Sequence, residues 1–303
     1  MKSKIVGILV CMMLLTTFLT VATNDDKGEL IKISHTELNK SSFDDDVPIW
    51  ENEDLWEYDI DTCQIQVNMS GQFMGLDLSM DNFILKVEGT TATSYQMSVS
   101  GRIKGTLKYD DGAGTTINGS LFFTSIFGSL LMRQTDLAVE ETIITIRGIA
   151  LLTEHPLPLS FPIPFPATIT VKTVHTTPRP ILDFPLFDGK SGILPETFMS
   201  VNIKLESIVL KILHIFIADI PEEIILDTEM DVPVLQYSAT AEEVTVKAGI
   251  YDAYNIVFFE GLFGSIYYAP VAGNVVKVEA NMDVPDQLMV AFNGELKNTN
   301  YLP

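Results

Sequence analysis

Much of the chain is written in strict alternation. Over 95–109, Tyr95, Met97, Val99, Ile103, Leu107 and Tyr109 fall on one face and Gln96, Ser98, Ser100, Arg102, Lys104, Thr106 and Lys108 on the other. This predicts a long strand with one dry and one wet side. Gly101 and Gly105 fall on the dry side, where a missing side chain lets the strand coil or a neighbour approach closely. Upstream, Trp56, Tyr58 and Ile60 alternate with Glu57, Asp59 and Asp61, and the phase then slips so that Cys63, Ile65, Val67 and Met69 form the apolar set. A bulge near Thr62 accounts for the slip. Leu76, Leu78 and Met80 give way after Asn82 to Phe83, Leu85 and Val87, which fits two strands or one kinked strand. A turn at Asp110-Asp111-Gly112, a return through Ile117, Leu121 and Phe123, and a further strand over 137–149 complete an antiparallel meander.

The last sixty residues repeat the pattern as two hairpins. Val244, Val246 and Ala248 oppose Thr245 and Lys247, Ala248-Gly249 breaks the run, and 252–258 resumes it. A strand over 264–268 ends at Ala269-Pro270, Gly273-Asn274 supplies the turn, and Val276, Val278, Ala280 and Met282 continue the alternation. Between the two strand-rich parts, residues 154–195 carry nine prolines around a short strand at 169–174 and predict a connector or edge. Over 203–218 the period changes. Lys204, Ser207, Lys211, His214 and Ala218 recur at three- and four-residue spacing among Ile, Leu, Val and Phe, which predicts a helix with a narrow polar stripe, stopped by Pro221. Such a helix needs an apolar surface around most of its girth, and the dry face of a curved sheet offers one.

The phrase A-G-x-Y-D-A-Y at 248–254, followed by Y-Y-A-P-x-x-G-x-V-V-K-V-E at 267–279, resembles a pattern in secreted proteins of unknown function, many archaeal, whose sheets are similar to the half-barrel of lipoprotein-carrier (LolA-like) proteins. A phrase similar to the F-P-L-x-x-G-x-x-W that often precedes the module occurs at Phe184, Pro185, Leu186 and Gly189, without the tryptophan. The resemblance implies a half-barrel crossed by a helix. A weak internal repeat, 95–101 against 254–261 and 131–141 against 267–279, predicts two such modules. The expected fold is therefore mainly β with minor α: two consecutive antiparallel half-barrel modules, the second crossed by the apolar helix.

Composition adds a location and removes several functions. Lys2 and Lys4 precede an apolar run over 5–21 that ends in small residues, the pattern of a secretory signal peptide; the alternative is an uncleaved anchor. The expected divisions are 1–22 signal, 23–52 acidic leader, 53–153 first module, 154–195 connector and 196–303 second module, placing the protein outside the cell or on its surface. Removing the signal leaves Cys63 as the single cysteine, expected to be a buried thiol. A net charge of −21 with no basic stripe excludes nucleic acid as a partner. His35, His155, His175 and His214 share no metal-ligand spacing, and H-E-x-x-H, G-x-S-x-G and the phosphate-binding glycine loop are absent from the sequence. The acidic group Glu51, Glu53, Asp54, Glu57, Asp59 and Asp61 lacks the spacing of a calcium loop and is read as a solvated face. Asn39, Asn68 and Asn118 begin glycosylation sequons whose use depends on the host.

No catalytic residue, cofactor or metal site is implied. The expected function is non-enzymatic binding or transfer of a lipid-like ligand, with Met97, Val99, Ile103 and Leu107 of the strand and Ile208, Ile212 and Phe216 of the helix as its lining. The alternative is a surface component that engages a partner in the cell envelope and has no ligand cavity.

Overall fold

The structure is a computed structural model and describes residues 47–69, 72–110, 116–154, 161–178, 180–216, 222–232, 234–259, 264–284 and 288–303. The expected signal, the leader up to residue 46, the turn at 111–115 and His155 lie outside the described residues.

In chain order the strands are β1 (Leu55–Met69), β2 (Gln72–Thr90), β3 (Ser94–Asp110), β4 (Thr116–Arg133), β5 (Val139–Glu154), β6 (Ile163–His175), β7 (Ser191–Leu194) and β8 (Thr197–Glu206). Helix α1 (Ile208–Phe216) follows, then β9 (Glu223–Val232), β10 (Leu235–Val246), β11 (Gly249–Phe259), β12 (Gly264–Ala269), a 3-10 turn (Pro270–Ala272), β13 (Asn274–Val284) and β14 (Leu288–Thr299). All strands join one 14-stranded sheet in the order β7-β10-β11-β12-β13-β14-β1-β2-β3-β4-β5-β6-β8-β9, and every pairing is antiparallel. The mainly antiparallel β class is as expected.

Two details differ from the expectation. Residues 197–206 form a strand, and the helix begins only after Ser207. Thr197, Met199, Val201 and Ile203 are buried and alternate with outward Phe198, Ser200, Asn202 and Lys204, so a period of two outweighs the three-and-four spacing of the polar residues. The connector region also supplies a full strand, β6, despite Pro164 and Pro166. The Pro166 carbonyl accepts from Ser207 Oγ at 2.6 Å, so this residue's backbone polar groups face the side towards β8. There β8 pairs only from Thr168 onwards, and the missing N–H groups interrupt no ladder.

The dry face is crossed by residues 180–190 in place of the expected helix. Pro180 bridges Ala138 at the start of β5, while Gly189 N–H donates to Ala239 O at 3.0 Å and Ala239 N–H to Lys190 O at 2.7 Å on β10. Flat, the nine strand spacings between β5 and β10 would measure about 43 Å, whereas ten residues reach about 35 Å at most. The sheet must therefore curl around this strap. Leu182 and Leu186 are buried in the core, and the Phe184 ring meets Tyr268 edge-on at 5.3 Å. Tyr237 donates its hydroxyl to Asp183 Oδ2 at 2.5 Å, and Lys190 Nζ bonds the Asp183 carboxylate at 3.1 Å and the carbonyls of Asp183 and Pro185.

A line of bulges divides the sheet. Register slips fall between Ile60 and Thr62 in β1, Asp81 and Ile84 in β2, Gly101 and Ile103 in β3, and Phe123 and Ser125 in β4. Ile60, Met80, Ile103 and Phe123 are successive cross-strand neighbours, so the slips form one crease. Two of them sit where the apolar phase changes in the sequence, near Thr62 and at Asn82, whose φ of 49° is left-handed. At Gly101 a Cβ would lie 2.8 Å from the Phe83 Cα, so the crease brings backbone against backbone. The near half, around Trp56, Phe83, Val99 and Leu130, holds the densest core.

Gly273, which ends the 3-10 turn, has φ 61°, and a Cβ there would lie 2.5 Å from the Tyr301 ring. Gly273→Ala should lower unfolding free energy by more than about 1 kcal/mol, the left-handed penalty alone, as read from urea denaturation. Alkali gives a second check. Burial, reinforced by the bond to Asp183, pushes the Tyr237 phenol up, and burial, with a lesser contribution from the charge of Tyr251, pushes Tyr58 well above its usual value of 10.0. Above about pH 10 the unfolded chain has lost protons that the folded chain keeps, so stability should fall with rising pH. Replacing Tyr237 with Phe should flatten that slope.

Candidate functional site

Beyond the crease the same strands continue into a far half whose inner face is apolar and graded in exposure. Cross-strand neighbours on this face run from Cys63 through Leu78, Gly105, Leu121 and Ala150 to Phe165, and one step further out lie Leu76, Leu107, Gly119 and Leu152. Leu78, Leu121 and Ala150 are buried, whereas Leu76, Leu107, Leu152 and Phe165 are only partly so. Small residues recur here: Gly105, Gly119, Gly148, Ala150 and Ala167 leave a lowered floor between the leucines. At Gly105 a Cβ would lie 2.1 Å from the Asp77 carbonyl oxygen, and at Gly119 it would lie 3.0 Å from the Leu152 side chain, so neither position has room for more than glycine without movement. The result is a shallow apolar trough whose residues carry no carboxylate, amine or imidazole, the buried thiol of Cys63 being the one ionisable group among them. Its chemistry is dispersion and dehydration, which suit a hydrocarbon chain.

The expected lining residues divide between core and solvent. Met97 and Val99 are each 2% exposed and Ile103 is 4% exposed, so they belong to the packed interior, while Leu107 lies in the trough. The helix is capped by Ser207, whose Oγ accepts from Val209 N–H at 3.1 Å while donating to the Pro166 carbonyl. Its Ile208 and Ile212 are 57% and 47% exposed and face solvent, apart from the four strand residues. Phe216 ends the helix, and its side chain lies outside the described set. Leu76, Leu152 and Phe165 were absent from the expected lining. The alternation of 76–80 carries the signal for Leu76, and that of Ile163, Phe165, Ala167 and Ile169 the signal for Phe165, where Pro164 and Pro166 obscure the strand pattern.

Charged residues are concentrated on the outer face and largely pair with one another. Lys247, at the tip of the β10–β11 hairpin, lies 3.3 Å from Asp59, Asp61 and Glu295, and Lys297 lies 2.9 Å from Glu57. Burial works against the Lys247 ammonium, but bonds to Glu295, Asp59 and Asp61 prevail and hold its pKa above the ordinary lysine value. Ala248 N–H donates to Leu296 O at 3.0 Å beside them, so these carboxylates fasten the hairpin tip to β14 and β1. Among the described residues no three His, Cys, Asp or Glu side chains converge as a metal site, Cys63 is a buried thiol, and no helix is long and apolar enough to cross a membrane.

No family model matches the chain, and neither the curated proteins nor the solved structures contain a match.

The gradient along β3 can be tested by truncation. Ile103→Ala should cost about 2–5 kcal/mol, the range for a fully buried aliphatic, and Leu107→Ala about 1 kcal/mol or less, since part of its surface is already wet. Equal losses in chemical denaturation would show that the far half is as closed as the near half.

Proposed function

We propose that the protein is an exported, non-enzymatic binder of apolar chains, holding an acyl-like ligand against the inner face of the far half of its sheet. The supporting observation is the change in exposure along single strands: β3 passes from buried Val99 and Ile103 to partly exposed Leu107, and β2 from buried Met80 to partly exposed Leu76. A partly wet leucine surface is costly unless covered, and a hydrocarbon chain covers it without needing a polar anchor. Each buried methylene contributes about 0.8 kcal/mol, so ten give about 8 kcal/mol before the losses of association. The affinity should therefore be no tighter than about 1 µM. A structural surface component is the remaining reading. It has the solid near half in its favour.

The test uses the mature full chain titrated with a pyrene-labelled sixteen-carbon fatty acid, with organic extraction and mass spectrometry of the purified protein beside it. Saturable micromolar uptake, weakened at least about tenfold by Leu107→Lys or Leu152→Lys and unchanged by Ile212→Lys on the solvent side of α1, is expected. Absence of both uptake and co-purified lipid would leave the structural reading.

A further inference from the structure

The two ends of the strand order are unlike. β7 is an edge of four residues, too short to template much pairing, whereas β9 runs for ten residues in unbroken register with β8, from Thr197↔Val232 to Glu206↔Glu223. Among the described residues β9 pairs with no other strand, and no proline lies within it. An edge of this length presents a row of backbone donors and acceptors to any extended segment of fitting side-chain pattern.

The outward face of β9 specifies that pattern. Glu223, Asp227 and Glu229 lie along it, with exposed Ile225 between the first two. Behind Asp227 and Glu229, a hollow of ≈ 310 Å³ opens between β6, β8 and β9, lined also by Lys172, Ser200 and Asn202. Of the lysines nearby, Lys172 in the lining lies 2.9 Å from Glu141, and Lys204 on β8 lies 3.3 Å from Glu206 and 3.0 Å from Glu223, so Glu223 already has a cation of this chain beside it. Asn202 donates to Asp227 Oδ1 at 2.5 Å, leaving the second carboxylate oxygen to other donors. Two copies joined edge to edge would bring acidic rows side by side, and like charges in cross-strand positions repel. A strand carrying Lys or Arg at every second position would instead set its cations about 5 Å from this row, with its alternate aliphatic side chains extending the apolar inner face. We propose that β9 is a docking edge for a partner polypeptide, which adds as a further antiparallel strand through an extended segment of alternating basic and aliphatic residues. This proposal stands apart from the trough and does not require a bound lipid.

The experiment measures binding of the mature full chain to a fluorescein-labelled ten-residue peptide alternating Lys with Ile or Val, by anisotropy, with amide hydrogen exchange as the readout of place. The comparison peptides have the same composition with alternation destroyed, N-methyl groups on every second amide, or Glu in place of Lys. Supporting results are saturable binding, new protection of amides 223–232, and at least tenfold weaker binding for the methylated and scrambled peptides. The same loss is expected with Asp227→Lys/Glu229→Lys, and a smaller one with Asp227→Asn. The control Glu242→Lys/Glu243→Lys, on exposed residues of β10, should bind unchanged. Equal binding of the scrambled peptide would reduce the effect to charge attraction, and protection at 191–194 would place it at the other edge; either outcome overturns the proposal. So would absence of binding, protection in the free monomer of those amides within 223–232 that do not bond to β8, which assigns the edge to a segment of the same chain, or a concentration-dependent dimer protected there, which assigns it to a second copy.

Discussion

The sheet depends on three aromatic donors buried at its middle. Trp56 Nε1–H donates to Ala272 O at 2.6 Å, Trp50 Nε1–H to Gly273 O at 2.8 Å, and Tyr58 O–H to Val275 O at 2.5 Å. The 3-10 turn between β12 and β13 folds inward, and the carbonyls of Ala272, its cap Gly273 and Val275 at the start of β13 would be stranded away from water without these partners. Each unpaired carbonyl would cost about 1–3 kcal/mol. The rings also pack on one another: Trp50 lies 4.9 Å from Trp56 and 5.0 Å from Tyr95, and Trp56 lies 5.9 Å from Tyr301. Residues more than two hundred positions apart are thereby fixed together. β1 can pair with β14 on one side and β2 on the other, and a chain that reads as two sheets becomes one.

That junction marks the boundary of what the pattern along the chain could disclose. The alternation of 95–109 and of 244–282 identifies strands directly, because a half-buried strand must sort its side chains by face. The slips near Thr62 and after Asn82 are visible for the same reason, since a bulge exchanges the faces. Strand order is different. Nothing local in 197–206 or 223–232 says that these strands extend the first series beyond β6, while 235–299 joins β1. That choice rests on the strap at 180–190, whose Leu182 and Leu186 need the same buried space as Tyr237 and Leu137. The indole donors likewise carry no sequence sign of their acceptors. Only the Ala269-Pro270 and Gly273-Asn274 phrases indicate that a turn must be accommodated there.

The candidate site was legible by half for a physical reason. Periodicity sorts residues by face but not by depth, so Val99 and Leu107 look equivalent on β3. The crease separates them. By bending four adjacent strands on one line it folds the near half over its own core and leaves the far half with partners on fewer sides. Small residues at Gly119, Gly148, Ala150 and Ala167 then lower the floor of the trough, and their meaning emerges only when three strands are placed in register.

Charge and shape act on different surfaces of the protein. The inner face carries almost no charge, so a ligand held there would be selected by length and flexibility, and a hydrocarbon could slide along it with little loss. The outer face is acidic, but its carboxylates are not equivalent: those near Lys247 and Lys297, like Glu223 beside Lys204, form ion pairs that fasten strands together, whereas Asp227 and Glu229 border an edge that no strand covers among the described residues. An acidic edge repels its own copy, which keeps a long unpaired strand from propagating a sheet between molecules. The same charge favours a basic strand approaching from outside. Protection against self-association and selection of a partner therefore arise from one row of side chains, at the end of the sheet where the strand order stops.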